Sequence, residues 1–385
     1  MTAEMLSDLI VNDYDYHEIP DEVWAAWERC SAEWNSYPFE SVPWLSSAAD
    51  SLSPDISKYL LVASVSHLGP VAFWPYALQR SFYTRLLPLV VCHSWLKDER
   101  ISASVIVSPA LSEDACRTVI SAFLERMPKW HKMFVGLVRN PSSLLDATAE
   151  VFGQLTIIFE RNIHSLAEIR GWTNFEEFLG SLSRDWRRKY NRITKRSQEI
   201  GDIVIEHIDS FNTQAVLESI KRRILDIYRE SWKASSPDRY ANLAHPDAFE
   251  WFSKLLDAFA RRGWLHVIFV TANGEDAAFY VGVRSEKVYC SLQTAYKEKY
   301  ASLSVGFLAQ MEDFRYTIMR GLLTNNLLAN QDYKAHFTDT VEHFSSLVLF
   351  NRNVAGRLAW LMTKTKQKIE RLALRHNGSD GAHNS

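Results

Sequence analysis

Two stretches of the chain repeat one pattern. "YLLVASVSHLGPVAFWPYAL" and "WLHVIFVTANGEDAAFYVGV" each hold a strand-length apolar run, a glycine-bearing turn, and an Ala-Phe pair opening a second run. Gly69 parallels Gly274, and Ala72-Phe73 parallels Ala278-Phe279 with one residue of offset. Each stretch is preceded by a helix-rich region. A glycine turn between two apolar runs is a hairpin signal, and its recurrence predicts two copies of one supersecondary unit. The length, 385 residues, suits two domains or two halves sharing one core.

Around these hairpins the first half reads as mixed α/β. "PDEVWAAWERCSAEW" opens a helix at Pro20 and Asp21. Strands are read at "LLPLVVC", "SASVIVSP", "KMFVGLV" and "QLTIIFERN". "EDACRTVISAFLERM" is an amphipathic helix with Ala115, Val119, Phe123 and Met127 on one stripe. The second half opens with a capping-box pattern at Thr173–Glu176 and a basic helix from about Ser183 to Glu199 that ends near Gly201. Two more helices follow, then a three-strand meander joined by "ANGED" and "RSEK". Directly after it, "SVGFLAQMEDFRYTIMRG" places Phe307, Met311, Phe314 and Ile318 on one helix face behind Ser304 and Gly306. Ser304 reads either as an ordinary helix N-cap or as part of an anion seat, because helix N-termini expose unpaired amides.

Charge divides unevenly. Residues 1–160 hold 11 Lys/Arg against 20 Asp/Glu, and residues 161–385 hold 32 against 26. The basic half is the candidate to meet an anionic ligand. Arg184, Arg187, Arg188, Lys189, Arg192, Lys195 and Arg196 crowd the basic helix, which reads as a solvated face or as a phosphate-binding one. No apolar run approaches the ~18 residues of a membrane span, and no signal peptide is read at the N-terminus. Four dispersed cysteines, Cys30, Cys92, Cys116 and Cys290, predict free thiols and a cytoplasmic location. The histidines have no HExxH spacing, so no metal site is expected.

The order helix, helix, meander, glycine-opened helix resembles the GNAT N-acyltransferase fold. The chain is similar to the tandem-repeat, CelD-like branch of cellulose-biosynthesis acetyltransferases, related to Fem-type transferases. Four stretches carry the resemblance: "LSRDWRRKYNRITKRSQEIGDIVIEHI", "RESWK", "AFYVGVRSEKVYCSLQTAYKEKYASLSVGFL", and "NLLANQDYKAHF" with "SSLVLFN". It implies two GNAT-like repeats, each a mixed, mostly antiparallel sheet flanked by helices. The divisions expected are a degenerate half at 1–164, an acyltransferase half at 165–350, a basic amphipathic helix at 351–375 and a disordered tail at 376–385. That helix is expected to pack on the fold, or to touch a membrane surface or a partner.

The resemblance further implies an acyl-CoA donor, typically acetyl-CoA, and a small amine or amino-sugar acceptor, with a link to polysaccharide or cell-envelope biosynthesis. Its pyrophosphate seat maps to Ser302, Leu303, Ser304, Val305, Gly306 and Phe307. The fourth-strand backbone at Leu292, Gln293 and Thr294 is implied to hold the pantetheine arm and the oxyanion. This chain has the single glycine Gly306 where the family signature has two, and Val305 where the branch has Pro. Candidates for the base are Glu230, Asp332 and His336, and for the thiolate's acid Tyr333. Trp232, Lys233 and Lys334 are the substrate-binding candidates. Two alternatives stay open: a Fem-type transferase that uses aminoacyl-tRNA, and a GNAT-like binding protein without turnover.

Overall fold

The computed structural model describes residues 1–34, 36–83, 87–95, 105–140, 142–200, 203–237, 242–329, 332–338 and 340–379. The first half runs β1 (Leu9–Asp15), α1 (Asp21–Glu33), α2 (Val42–Asp50), β2 (Ser57–Val65), β3 (Gly69–Tyr83), β4 (Leu87–His93), β5 (Ile106–Val107), α3 (Glu113–Arg126), β6 (Lys132–Asn140), α4 (Ser143–Phe152) and β7 (Thr156–Ala167). The second runs α5 (Phe175–Ser181), α6 (Arg184–Ile200), β8 (Ile203–Ile208), α7 (Gln214–Arg229), α8 (Pro246–Arg261), β9 (Leu265–Ala272), β10 (Glu275–Arg284), β11 (Val288–Tyr296), α9 (Val305–Met319), β12 (Thr324–Ala329), β13 (Thr340–Phe350) and α10 (Val354–Ser379).

Local chemistry sets most boundaries. Ser112, Ser142 and Thr213 cap α3, α4 and α7 by accepting from Ala115, Leu145 and Val216 amides. The β9–β10 hairpin turns on Asn273 and Gly274, both with positive φ, as a two-residue type I′ turn demands. The capping box lies one residue later than the sequence pattern put it. Asn174 caps α5 by accepting from the Glu177 amide, and the Glu177 carboxylate takes the Thr173 amide at 2.8 Å. The strand read at "SASVIVSP" falls partly on residues outside the described set, and its described part is the two-residue β5. The end of the basic helix near Gly201 likewise lies outside. α10 continues to Ser379, into the segment expected as a disordered tail, and 380–385 lie outside the described residues.

The chain forms two compact units: Met1–Ile19 with Ser53–Glu160 and Ser345–Ser385, and Pro20–Leu52 with Arg161–Phe344. The units exchange segments rather than meeting at a single cut along the chain. In the first unit β1, β2, β3 and β4 form an antiparallel meander, and β4 continues into a parallel pairing with β6 at Val91–Lys132 and Cys92–Met133. α3 and α4 cover this sheet through a core that includes Trp74, Val119, Phe123, Leu145 and Phe152.

The second unit repeats the plan. β8, β9, β10 and β11 are antiparallel, β11 pairs in parallel with β12, and β12 runs antiparallel to β7. α9 lies on this sheet, its Val305 and Ala309 packed with Ile268, Val270 and Tyr280. Its Met311, Phe314 and Ile318 pack with Phe178 of α5 and Tyr190 of α6, and Phe307 joins them partly buried. The helical stripe read from the sequence is therefore a core stripe. α2 packs on α8 through Trp44, whose ring lies 5.8 Å from that of Trp251. All four cysteines are buried and unbridged.

Candidate active site

Two neighbouring strands part company in the second unit. β11 and β12 pair at Val288–Thr324, Tyr289–Asn325 and Cys290–Asn326. One residue further on, β11 is disturbed: Gly282 faces Ser291 and Val281 faces Gln293, so Leu292 is an extra, bulged residue. On β12, Leu328 adopts φ +57°, and its amide is held at 2.7 Å by the Asn326 side-chain oxygen. A left-handed leucine costs about 1–2 kcal/mol, and such strain gathers at sites where geometry matters. The partner of β12 beyond this kink is β7, with Ala329 opposite His164. Burial follows the parting. β11 is buried up to Ser291 and half-buried at Leu292, Gln293 and Thr294. The three residues expected to present backbone to a ligand thus line an opening between two formerly paired strands.

After β11 the chain makes a short turn, Glu298–Leu303, and enters α9. Ser304 sits at its N-cap position in the left-handed region (φ +55°) and makes no side-chain cap; its carbonyl takes the amides of Phe307 and Leu308. The side-chain capping role read for Ser304 is therefore corrected. The first turn of α9 also carries no acidic residue. Gly306 lies so close to Tyr296 that a Cβ there would come 2.9 Å from the ring. From α6, Lys189 Nζ reaches 4.7 Å from the Phe307 ring centre and 4.3 Å from that of Trp186. Burial, aided by the Arg192 charge, lowers the Lys189 pKa. Uncapped amides and a half-buried ammonium make this helix start receptive to an anion. The equivalent start in the first unit is the opposite: Ser112 caps α3, and Glu113 and Asp114 fill its first turn.

Two more lysines face the opening. Lys233 Nζ donates to the Thr294 carbonyl at 2.6 Å and to Gln293 Oε1 at 3.1 Å. Lys334, from the short turn Asp332–His336, donates to the Leu327 carbonyl at 2.6 Å. One lysine is thus tied to each of the parted strands. Burial pushes both pKa values down to about 8, and the Lys233 charge adds to the effect on Lys334. Tyr333 is partly exposed, with its phenol pKa raised by burial. His164 is buried beside them, its ring nitrogen 3.1 Å from Asn326 Nδ2 and its pKa lowered to about 4 by burial and then by Lys334. Trp232 is exposed, with Lys233 Nζ 5.9 Å from its ring.

The carboxylate and imidazole candidates are arranged differently. Glu230 is ion-paired with Lys297 at 2.9 Å, in a cluster with Glu275 and Lys299 just past the end of β11. Asp332 and His336 are exposed, and the His336 ring lies 4.8 Å from that of Trp186. Ser302 is exposed as well. Among the described residues no group of His, Cys, Asp or Glu is arranged to hold a metal ion.

Sequence reading missed a buried polar network under this sheet. Asp313 of α9 is fully buried and accepts from Tyr289 Oη (2.6 Å), Ser291 Oγ (3.0 Å) and Asn325 Nδ2 (3.0 Å). Burial outweighs those bonds and raises its pKa to about 6. Tyr289 Oη is also 3.0 Å from His266 Nδ1, His266 Nε2 is 3.2 Å from His207 Nδ1, and His207 Nε2 is 3.4 Å from Glu312. The network spans β8, β9, β11, β12 and α9, so it locks the residues on which the opening depends. Gly282 makes room for it: a Cβ there would lie 1.5 Å from Tyr289 Oη. Trp186 was missed too, although its three-residue spacing from Lys189, already read in the basic helix, was a usable signal.

Residues 184–335 match the family model described as "Acetyltransferase (GNAT) domain". They form an acetyltransferase domain, that of an acyl-transferring enzyme, and they hold the opening, the helix start and the lysines. The CelD-like branch is not singled out by this match. No curated protein matches the chain in sequence. In fold, the chain is similar to FemX (TM-score 0.64, 10% identity, covering 91% of this chain and 99% of that one). It is also similar to a conserved protein of unknown function from Bacteroides thetaiotaomicron VPI-5482 (TM-score 0.50, 10% identity, 89% and 100%). A tandem GNAT protein from the clavulanic acid biosynthesis pathway aligns at TM-score 0.48 and 9% identity, over 88% and 98%.

Proposed function

We propose that the second unit transfers an acyl group from acyl-CoA to an amine acceptor at the parted strands β11 and β12. The observation that supports this reading is the parting of the strands: a bulge at Leu292 and a left-handed Leu328 interrupt them, and a helix start without a side-chain cap follows β11 in sequence. The pantetheine arm lies along Leu292, Gln293 and Thr294, and the Thr294 amide, held at 3.1 Å by Gln293 Oε1 in the free protein, turns from that side chain to polarise the thioester oxygen. The pyrophosphate rests on Ser302, Ser304, Val305, Gly306 and Phe307, with Lys189 as counter-charge. The amine nitrogen attacks the thioester carbon, the C–S bond breaks, and the leaving thiolate takes a proton from Tyr333. Asp332 or His336 receives the ammonium proton of the acceptor. Glu230, the remaining base candidate, is already committed to Lys297. Trp232, Lys233 and Lys334 orient the acceptor. A polysaccharide or cell-envelope acceptor is carried by the family resemblance alone.

The exposed arginines of α6 support a second reading, in which aminoacyl-tRNA is the donor. Calorimetric titration with acetyl-CoA, longer acyl-CoAs and free CoA separates the two. Micromolar acyl-CoA binding, lost in folded Gly306→Trp, is the expected outcome. Absence of acyl-CoA binding together with strongly salt-dependent tRNA binding would replace the first reading by the second. Ligand binding without any turnover would leave a non-catalytic binding protein.

A further inference from the structure

Among the described residues, α10 packs within the first unit through one side. Ala355, Ala359 and Trp360 pack with Leu89, Ile157, Val348 and Phe350. Gly356 lets the helix start close to the chain, since a Cβ there would lie 2.2 Å from the Asn351 carbonyl. Away from this contact the helix keeps an apolar stripe in solvent. Val354, Leu358, Leu361 and Ile369 are 77%, 44%, 52% and 61% exposed. Helical spacing puts them in one row, with Thr365 between the last two. The Thr365 hydroxyl donates to the Leu361 carbonyl at 2.9 Å, so it is satisfied within the helix. Arg357, Lys364 and Lys368 share an adjoining row, and all three are exposed.

We propose that this face of α10 docks on the surface of an anionic phospholipid bilayer. A row of aliphatic side chains beside a row of cations matches the boundary between acyl chains and acidic headgroups. The charge is one-sided: residues 352–375 hold seven Lys/Arg and one Glu. Pairing with a second copy of the helix would bring two cationic rows together, which disfavours a self-interface. The helix lies on the surface and does not cross it; no helix among the described residues is long and apolar enough to span a membrane. The proposal does not depend on the acyl-transfer reading.

Co-sedimentation of the full chain with vesicles tests it. Vesicles of phosphatidylcholine mixed with phosphatidylglycerol should retain the protein at least about tenfold better than phosphatidylcholine alone, and added salt should weaken the retention. Leu358→Glu/Leu361→Glu and Lys364→Glu/Lys368→Glu should each bring retention down to the neutral-vesicle level with the thermal melt unchanged. Equal binding to both vesicles, no binding, or binding untouched by these substitutions overturns the proposal. So does sedimentation of the free protein as a dimer that Leu361→Glu dissociates, because the stripe is then a contact between copies.

Discussion

Gly282 has no space for a side chain, because the Tyr289 hydroxyl lies where its Cβ would be. Gly282→Ala must therefore displace Tyr289 and break its bond to buried Asp313. We expect a loss of about 2–4 kcal/mol, from overpacking plus an unsatisfied buried carboxylate, seen as a lower midpoint in urea with the fold otherwise retained. Lys233 and Lys334 give the second residue-scale prediction. With pKa values near 8, both are charged below that pH and lose charge as pH rises through it. Affinity for an acceptor that carries an anionic group should fall about tenfold above pH 8, and Lys233→Met should flatten that profile. Because a depressed lysine pKa means that folding is penalised when the group is charged, Lys233→Met should not lower stability at neutral pH. Little of this was legible in the sequence. Lys233 and Lys334 are brought together only by the fold, and nothing in a leucine codon announces that Leu328 will be left-handed. Gly306 was legible as a close-approach residue, although its neighbour, Tyr296, was not.

At the level of elements, reading was easier where periodicity and punctuation agree. The β2–β3 and β9–β10 hairpins and helices α1, α3, α6 and α9 are where alternating or helical apolar spacing places them. What failed was subtler chemistry at ends: the α5 cap is Asn174 rather than Thr173, and α9 starts on a left-handed Ser304 without a side-chain cap. The two units differ most at this kind of place. β6 and β12 both carry a leucine with positive φ, Leu137 and Leu328, so each parallel strand kinks. The helix starts diverge, with α3 sealed by Ser112, Glu113 and Asp114 and α9 left open. This contrast supports placing donor binding in the second unit, where Gly306→Trp should abolish it.

For the whole molecule, the repeated hairpin did foretell two similar strand meanders, each running into a parallel pairing, but not the exchange of segments. Helices α1 and α2 group with the second unit, and Ser345–Ser385 groups with the first. A cut at 164/165 therefore removes Trp44 from its packing on Trp251 and Phe259 of α8. It also strips Val348, Phe350 and Ala359 from the cluster around Leu89. Fragments 1–164 and 165–385 expressed separately should each lack a cooperative melt, whereas the intact chain should show one. Two independently melting fragments would contradict this division.

The exchange also orders events during synthesis. Every segment of the second unit has left the ribosome once Phe344 has emerged, whereas the first unit, though its residues are made first, waits for β13 and α10. The later-encoded unit can thus complete its core before the earlier-encoded one, and the first unit's unfinished sheet must stay unaggregated through most of translation.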